Sequence, residues 1–130
     1  MHITGIYVAL ATLLVIALSL GVSLRRRQVK VGLGSGGDTT LLQRIRAHAN
    51  ALEYLPLSLL LLLCLELDQT PVAWLHACGS TLIVARILHA VGLFHSAGTS
   101  FGRLFGTLLT WGVMLAMAAL LLWRALVPAG

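Results

Sequence analysis

The sequence predicts an all-α fold, an integral membrane four-helix bundle. Three observations carry this expectation. Of the 130 residues, 58% are hydrophobic and only 10% are charged, against about 25% charged in an average soluble domain. A chain this short is mostly surface once folded, so it cannot hide that much apolar area from water. The apolar residues also fall into four runs near the roughly 20 residues a helix needs to cross a bilayer, with short polar breaks between them. Composition therefore argues against a soluble enzyme, a nucleic-acid-binding domain and a disordered tail. The net charge of +5 is read the same way, because its cations gather where a membrane protein keeps its cytoplasmic anchors. Residues 1–130 are expected to form a single membrane domain.

The first span is expected over 4–24. Arg25, Arg26 and Arg27 stop it. A secretory signal would carry its positive charges first and a cleavage site last, so this segment reads as a retained helix. Residues 29–40 form a linker with Gly32, Gly34, Gly36 and Gly37. No Lys-Ser/Thr pair follows these glycines, so they read as a flexible loop and not as a phosphate cradle. Thr39 or Thr40 is the expected cap of the second helix, over 40–67. That helix contains Pro56, which removes one backbone hydrogen bond and predicts a kink. Glu66, Asp68, Gln69 and Thr70 make an acidic turn, and Pro71 opens the third helix, expected over 72–94. A short loop with Gly98 leads to the fourth, over 101–126. Cys64 and Cys78 read as buried, reduced thiols. Apart from Arg124, which falls on the outer side, the basic residues flank the first and third loops, and the second loop carries only acids. The positive-inside rule then puts loops 1 and 3 in the cytoplasm and both termini outside.

Ionisable groups inside a span are costly, and they mark either buried pairing or function. Arg46, Asn50, Glu53 and Tyr54 follow the spacing i, i+4, i+7, i+8, which puts them on one helical face. Arg86 and His89 share a face of the third helix. Folding the two helices into a hairpin about the 68–71 turn brings Glu53 to the level of Arg86 and Asn50 to the level of His89. One reading is a Glu53–Arg86 ion pair that fixes helix register. The other starts from Arg46, His89 and nearby Arg103, which extend the seam and leave a surplus of cations suited to an anionic ligand. Arg103 opens the fourth helix, where the helix dipole also favours an anion. Alternatively, it is an interfacial snorkelling arginine. His2, His76 and His95, with Trp74, Trp111 and Trp123, read as interfacial or lipid-facing side chains. No metal site is predicted, and no two histidines are clearly placed to hold a haem.

The run Arg44-Ile-Arg-Ala-His-Ala-Asn-Ala-Leu-Glu-Tyr-Leu-Pro56 resembles the second-helix signature of the MAPEG family, membrane-associated proteins in eicosanoid and glutathione metabolism. The match falls on Arg46, Ala47, Asn50, Glu53, Tyr54 and Pro56. Ala85-Arg86-Ile-Leu-His89 is similar to the third-helix element of microsomal glutathione transferases, and Arg103 fits the family arginine that faces the glutathione thiol. The resemblance extends over nearly the whole chain and is nearest to the short bacterial members.

The resemblance implies a homotrimer with glutathione as co-substrate, held in a cytoplasmic-side crevice between subunits. By carry-over, Arg25, Arg26, Arg46, His48, Asn50, Glu53, Tyr54, Arg86 and His89 would bind it, and Arg103 would be catalytic, stabilising the thiolate. A lipophilic electrophile or lipid hydroperoxide would arrive through the membrane lipids of a bacterial inner membrane. Leu93 departs from the family, whose active members tend to have a tyrosine there. Two other readings stay open. One is a small multidrug-type transporter, although those usually carry a lone acid in the first helix, and this first helix has none. The other is a non-catalytic member that binds glutathione or lipid.

Overall fold

A computed structural model of the chain describes residues 2–96 and 98–127. Its elements are four helices in up-and-down order: α1 (Ile3–Val29), α2 (Thr39–Leu67), α3 (Val72–His95) and α4 (Phe101–Leu126). All four are long and apolar enough to cross a membrane. Among the described residues there is no strand. The short 68–71 turn shares one end of the bundle with the start of α1 and the end of α4. The other end carries the 30–38 loop and the connection from α3 to α4.

Helix α1 continues past Leu24 to Val29, so Arg25, Arg26 and Arg27 form its last turns instead of its stop. Lys30, with φ 55°, ends it in the left-handed region. The cap of α2 is Asp38, not a threonine: its carboxylate accepts from the Leu41 N–H at 2.6 Å. A carboxylate satisfies the orphan donors of a first turn better than a hydroxyl, because its charge also complements the helix dipole. Helix α2 runs unbroken through Pro56.

The ends of the helices are tied across the bundle. Glu66, near the end of α2, accepts from the N–H groups of Ile3 and Thr4 at 2.6 and 2.7 Å and so caps the start of α1. Arg124, at the end of α4, donates to the Asp68 carbonyl and carboxylate at 2.8 Å and to the Thr70 hydroxyl at 3.0 Å. In the interior, Tyr7 lies against Gly79, where an added Cβ would fall 2.3 Å from the ring. The Tyr7 hydroxyl meets Nδ1 of His76 at 2.9 Å. His76 is therefore tied to α1.

The tightest packing joins α3 and α4. A Cβ at Gly106 would sit 2.7 Å from the Ala85 carbonyl and from the His89 backbone, and one at Gly92 would sit 2.5 Å from the Arg103 nitrogen. Gly102 meets the Leu88 carbonyl in the same way. Between helices in lipid there is little hydrophobic drive, and close backbone approach through small residues supplies the contact instead. Outside this interior the surface is apolar: Leu13, Leu115 and Trp123 are about two-thirds exposed. That surface suits lipid or further copies of the chain and does not suit water. Cys64 belongs to it, exposed and not buried, while Cys78 is half-buried; both thiols are free.

Candidate functional site

The polar seam begins on α2, where Asn50, Glu53 and Tyr54 project from one face. Arg86 of α3 is 2% exposed and lies against this face. Its Nη1 donates to Asn50 Oδ1 at 2.6 Å, and its Nη2 donates to the Gly106 carbonyl of α4 at 3.0 Å. The guanidinium carbon stands 5.1 Å from the centre of the Tyr54 ring, within range of a cation–π contact. One cation thus ties three helices together. The carbonyl it uses is accessible because Gly106 lets α3 approach so closely.

This geometry replaces the expected Glu53–Arg86 ion pair. The α2–α3 register is shifted by about one turn, so Asn50, not Glu53, meets Arg86. Among the described residues no carboxylate touches the Arg86 guanidinium, and its Nε has no hydrogen-bond partner. Glu53 pairs on its own helix: Oε1 is 3.8 Å from Arg46 Nη2, and Oε2 accepts from Asn50 Nδ2 at 3.4 Å. The Arg46 and Glu53 side chains are 56% and 52% exposed.

A cavity of about 170 Å³ opens at the loop end of this seam. Helix α2 contributes Thr39, Leu42, Gln43, Arg46 and Asn50 to its walls, α3 contributes His89 and Leu93, and α4 contributes Arg103. A second cavity of about 260 Å³ adjoins it across His89 and Arg103, with Leu104, Leu108 and Trp111 as its apolar wall. The Trp111 indole donates to the Tyr54 hydroxyl at 3.2 Å, which joins this wall to the Arg86 cluster. Arg103 stands in the first turn of α4. Ser100 caps that turn, accepting from the Arg103 N–H and donating to the Gly92 carbonyl. The Arg103 guanidinium donates to the Gly98 carbonyl in the preceding loop.

Of the residues expected to bind a ligand, four therefore surround the cavity: Arg46, Asn50, His89 and Arg103. Glu53, Tyr54 and Arg86 stand behind or beside them in the same hydrogen-bonded cluster. Arg25 and Arg26 do not line the cavity. Arg25 donates to Asp38 at 2.7 and 3.1 Å, and Arg26 donates to the Gly34 carbonyl at 2.8 Å. They fold the glycine loop back onto α1. Asp38 is held below the usual carboxylate range, chiefly by the bond from Arg25 and then by the Leu41 N–H. His48 is half-buried and does not line the cavity.

Asp38, Ser100, Gly106 and Trp111 support the site without having been singled out for it from the sequence. The signal for one of them was present: Gly102-Arg-Leu-Phe-Gly106 is the small-xxx-small spacing of close helix pairs in membranes.

The cavity thus gathers two guanidinium groups, two amides and an imidazole, with one carboxylate beside them. The family model for the MAPEG family matches residues 4–123. Inner membrane protein YecN of Escherichia coli strain K12 is 33% identical over 126 residues, covering 93% of this chain and 91% of that protein. The protein of the same name from Escherichia coli O6:H1 matches equally. No solved structure matches the chain significantly. A family match over nearly the whole chain, on the helices that build the cavity, establishes that this protein belongs to the MAPEG family.

Proposed function

We propose that the protein binds glutathione in the cavity bounded by Arg46, Asn50, His89 and Arg103 and uses it as a glutathione transferase or peroxidase on lipophilic substrates. The observation that carries this is the junction of two unlike cavities. The polar one presents two arginines and two amides, a set suited to the carboxylates of a tripeptide. The apolar one presents Leu104, Leu108 and Trp111. They meet at Arg103 and His89, where a water-borne thiol and a lipid-borne electrophile would come together.

The chemistry asked of Arg103 is thiolate stabilisation. A free thiol of this kind ionises near pH 8.5, so it is mostly protonated at neutral pH, about one ionised thiol in thirty. A guanidinium in the first turn of a helix adds its charge to the positive end of the helix dipole and favours the thiolate. Each tenfold gain in thiolate corresponds to about 1.4 kcal/mol. The thiolate sulfur then attacks the electrophile, and the displaced group leaves with the electron pair of the broken bond.

Arg46 and Glu53 support an oligomer. Half-exposed charges within a span are costly toward lipid, so a neighbouring copy is the natural cover. The basic loops 1 and 3 face the cytoplasm of an inner membrane, with both termini on the other side, as the positive-inside rule requires. The test is equilibrium binding of glutathione to the detergent-purified protein, followed by conjugation of a chlorodinitrobenzene. Binding with turnover is expected. Arg103→Ala should keep the binding and lose most of the turnover.

One observation favours a second reading, a member that binds but does not turn over. Leu93 lines the cavity where active relatives tend to have a tyrosine. Tight glutathione binding without conjugation or peroxidase activity would select it.

A further inference from the structure

The two ends of the Asn50 amide do opposite things. Its oxygen only accepts a hydrogen bond, and its nitrogen only donates. Arg86 decides which end faces which way. A guanidinium carries donors and no acceptor, so the Asn50 atom that meets its Nη1 at 2.6 Å is the oxygen. Arg86 is buried, and Oδ1 is therefore turned inward. The Nδ2 group is left for the open side. One of its hydrogens serves Glu53 Oε2 at 3.4 Å, and the second is available to a ligand in the cavity that Asn50 lines.

Arg86 itself does not line that cavity. Its guanidinium is held from three sides. Nη1 is spent on Asn50, Nη2 on the Gly106 carbonyl, and the flat face lies against the Tyr54 ring. This arrangement leaves the buried Nε–H without a partner. A buried cation with an orphaned donor is a poor device for stability, and an apolar side chain of similar volume often serves a fold as well or better. An apolar side chain would not choose the orientation of an amide.

That choice sets the kind of group the cavity takes. With Nδ2 outward, Asn50 joins Arg46 and Arg103 in offering donors. Turned round, it would put a carbonyl oxygen among them, against an anionic oxygen of the ligand. The charge-assisted bond at Oδ1 also polarises the amide and strengthens its N–H groups as donors.

We propose that Arg86 is a positioning residue of this site: it does not touch glutathione, and it holds Asn50 with its NH2 toward the cavity so that Asn50 donates to a carboxylate of the tripeptide. This role rests on the glutathione reading of the site and refines it, since Arg86 then acts one step behind the ligand.

The test is equilibrium titration of the detergent-purified protein with glutathione, carried far enough for weakened variants to saturate, with thermal unfolding followed on the same samples. Asn50→Asp keeps an oxygen for Arg86 and puts a second oxygen where Nδ2 was. It should still unfold cooperatively yet bind at least about tenfold more weakly, because a donor to an anion has become a repulsion. Arg86→Gln can meet Asn50 with either end of its own amide and should weaken binding about fivefold or more. Arg86→Lys, again only a donor, should recover most of that loss. In an Asn50→Ala background the amide that Arg86 orients is gone, so Arg86→Gln should cause no further loss. An equal loss from Arg86→Gln with and without the Asn50 amide would overturn the proposal, because Arg86 would then act by holding the helices together. Wild-type affinity in Asn50→Asp or in Arg86→Gln would overturn it as well. A wild type that does not bind glutathione overturns the reading of the site and the role of Arg86 with it, whereas a wild type that binds but gives additive losses overturns the role alone.

Discussion

Arg86 is a cation buried in a span with an amide, a carbonyl and an aromatic face for company. Its removal leaves Asn50 Oδ1 and the Gly106 carbonyl without their donor. An unsatisfied buried acceptor costs about 1–3 kcal/mol, so Arg86→Met should lower unfolding stability in detergent by an amount in that range. Glu53→Gln should cost under about 1 kcal/mol, because the Arg46–Glu53 pair is half-exposed and long. A larger loss from Glu53→Gln than from Arg86→Met would show that Glu53, not Asn50, is the partner of Arg86. Asp38 allows a test by pH. Its carboxyl is held below the ordinary value of about 3.9 by Arg25 and the Leu41 N–H. A depressed pKa contributes stability above the unfolded value and loses it as pH falls through the folded one. Asp38→Asn should therefore melt below the wild type at neutral pH, and the two melting temperatures should converge as the pH is taken below about 4. Equal melting temperatures at neutral pH would show that the Asp38 contacts contribute nothing.

At the scale of the helix pair, α3 and α4 are held by backbone approach more than by large side chains. Gly106→Leu would push Cβ and all beyond it into the Ala85 carbonyl and the His89 backbone. It should separate the pair, break the Arg86 bond to residue 106 and abolish a cooperative unfolding transition. Gly112→Ala is the control on the same helix. Space is open at that Cβ, and alanine gains about 1 kcal/mol of helix propensity, so thermal unfolding should be unchanged or slightly later. Two glycines on one helix with opposite responses would separate close helix packing from open surface.

The limits of reading the sequence also lie at this scale. The four spans were legible because hydropathy is a one-dimensional property, and the placement of Arg46, Asn50, Glu53 and Tyr54 on one face followed from helical period alone. The pairing of Arg86 was not legible: it depends on how the 68–71 turn closes and how the helices cross, and a difference of one turn exchanges Glu53 for Asn50. The cap of α2 was misplaced by one or two residues, onto Thr39 or Thr40, since Asp38 was counted with the linker. The role of the Gly106 carbonyl was hidden for another reason. A backbone acceptor has no signature of its own, although the Gly102–Gly106 spacing points to the helix contact that exposes it.

At the scale of the whole molecule, the two ends of the bundle differ. The loop end gathers Arg46, Asn50, His89 and Arg103 around one cavity, while at the turn end Arg124 is paired with Asp68 and Thr70. The half-exposed Arg46 and Glu53 call for a neighbour, and native mass spectrometry in detergent should return three copies of the chain; a monomer would leave those charges uncovered and contradict the trimer. The central claim concerns the loop-end cavity, and equilibrium titration of the purified protein with glutathione tests it most directly, followed by calorimetry and by the ultraviolet absorbance of the thiolate. A glutathione site bounded by these residues predicts saturable binding at or below millimolar concentration, severe weakening in Arg46→Ala and Asn50→Ala, and retained binding with loss of the thiolate signal in Arg103→Ala. Absence of binding to the wild type at millimolar glutathione would contradict it.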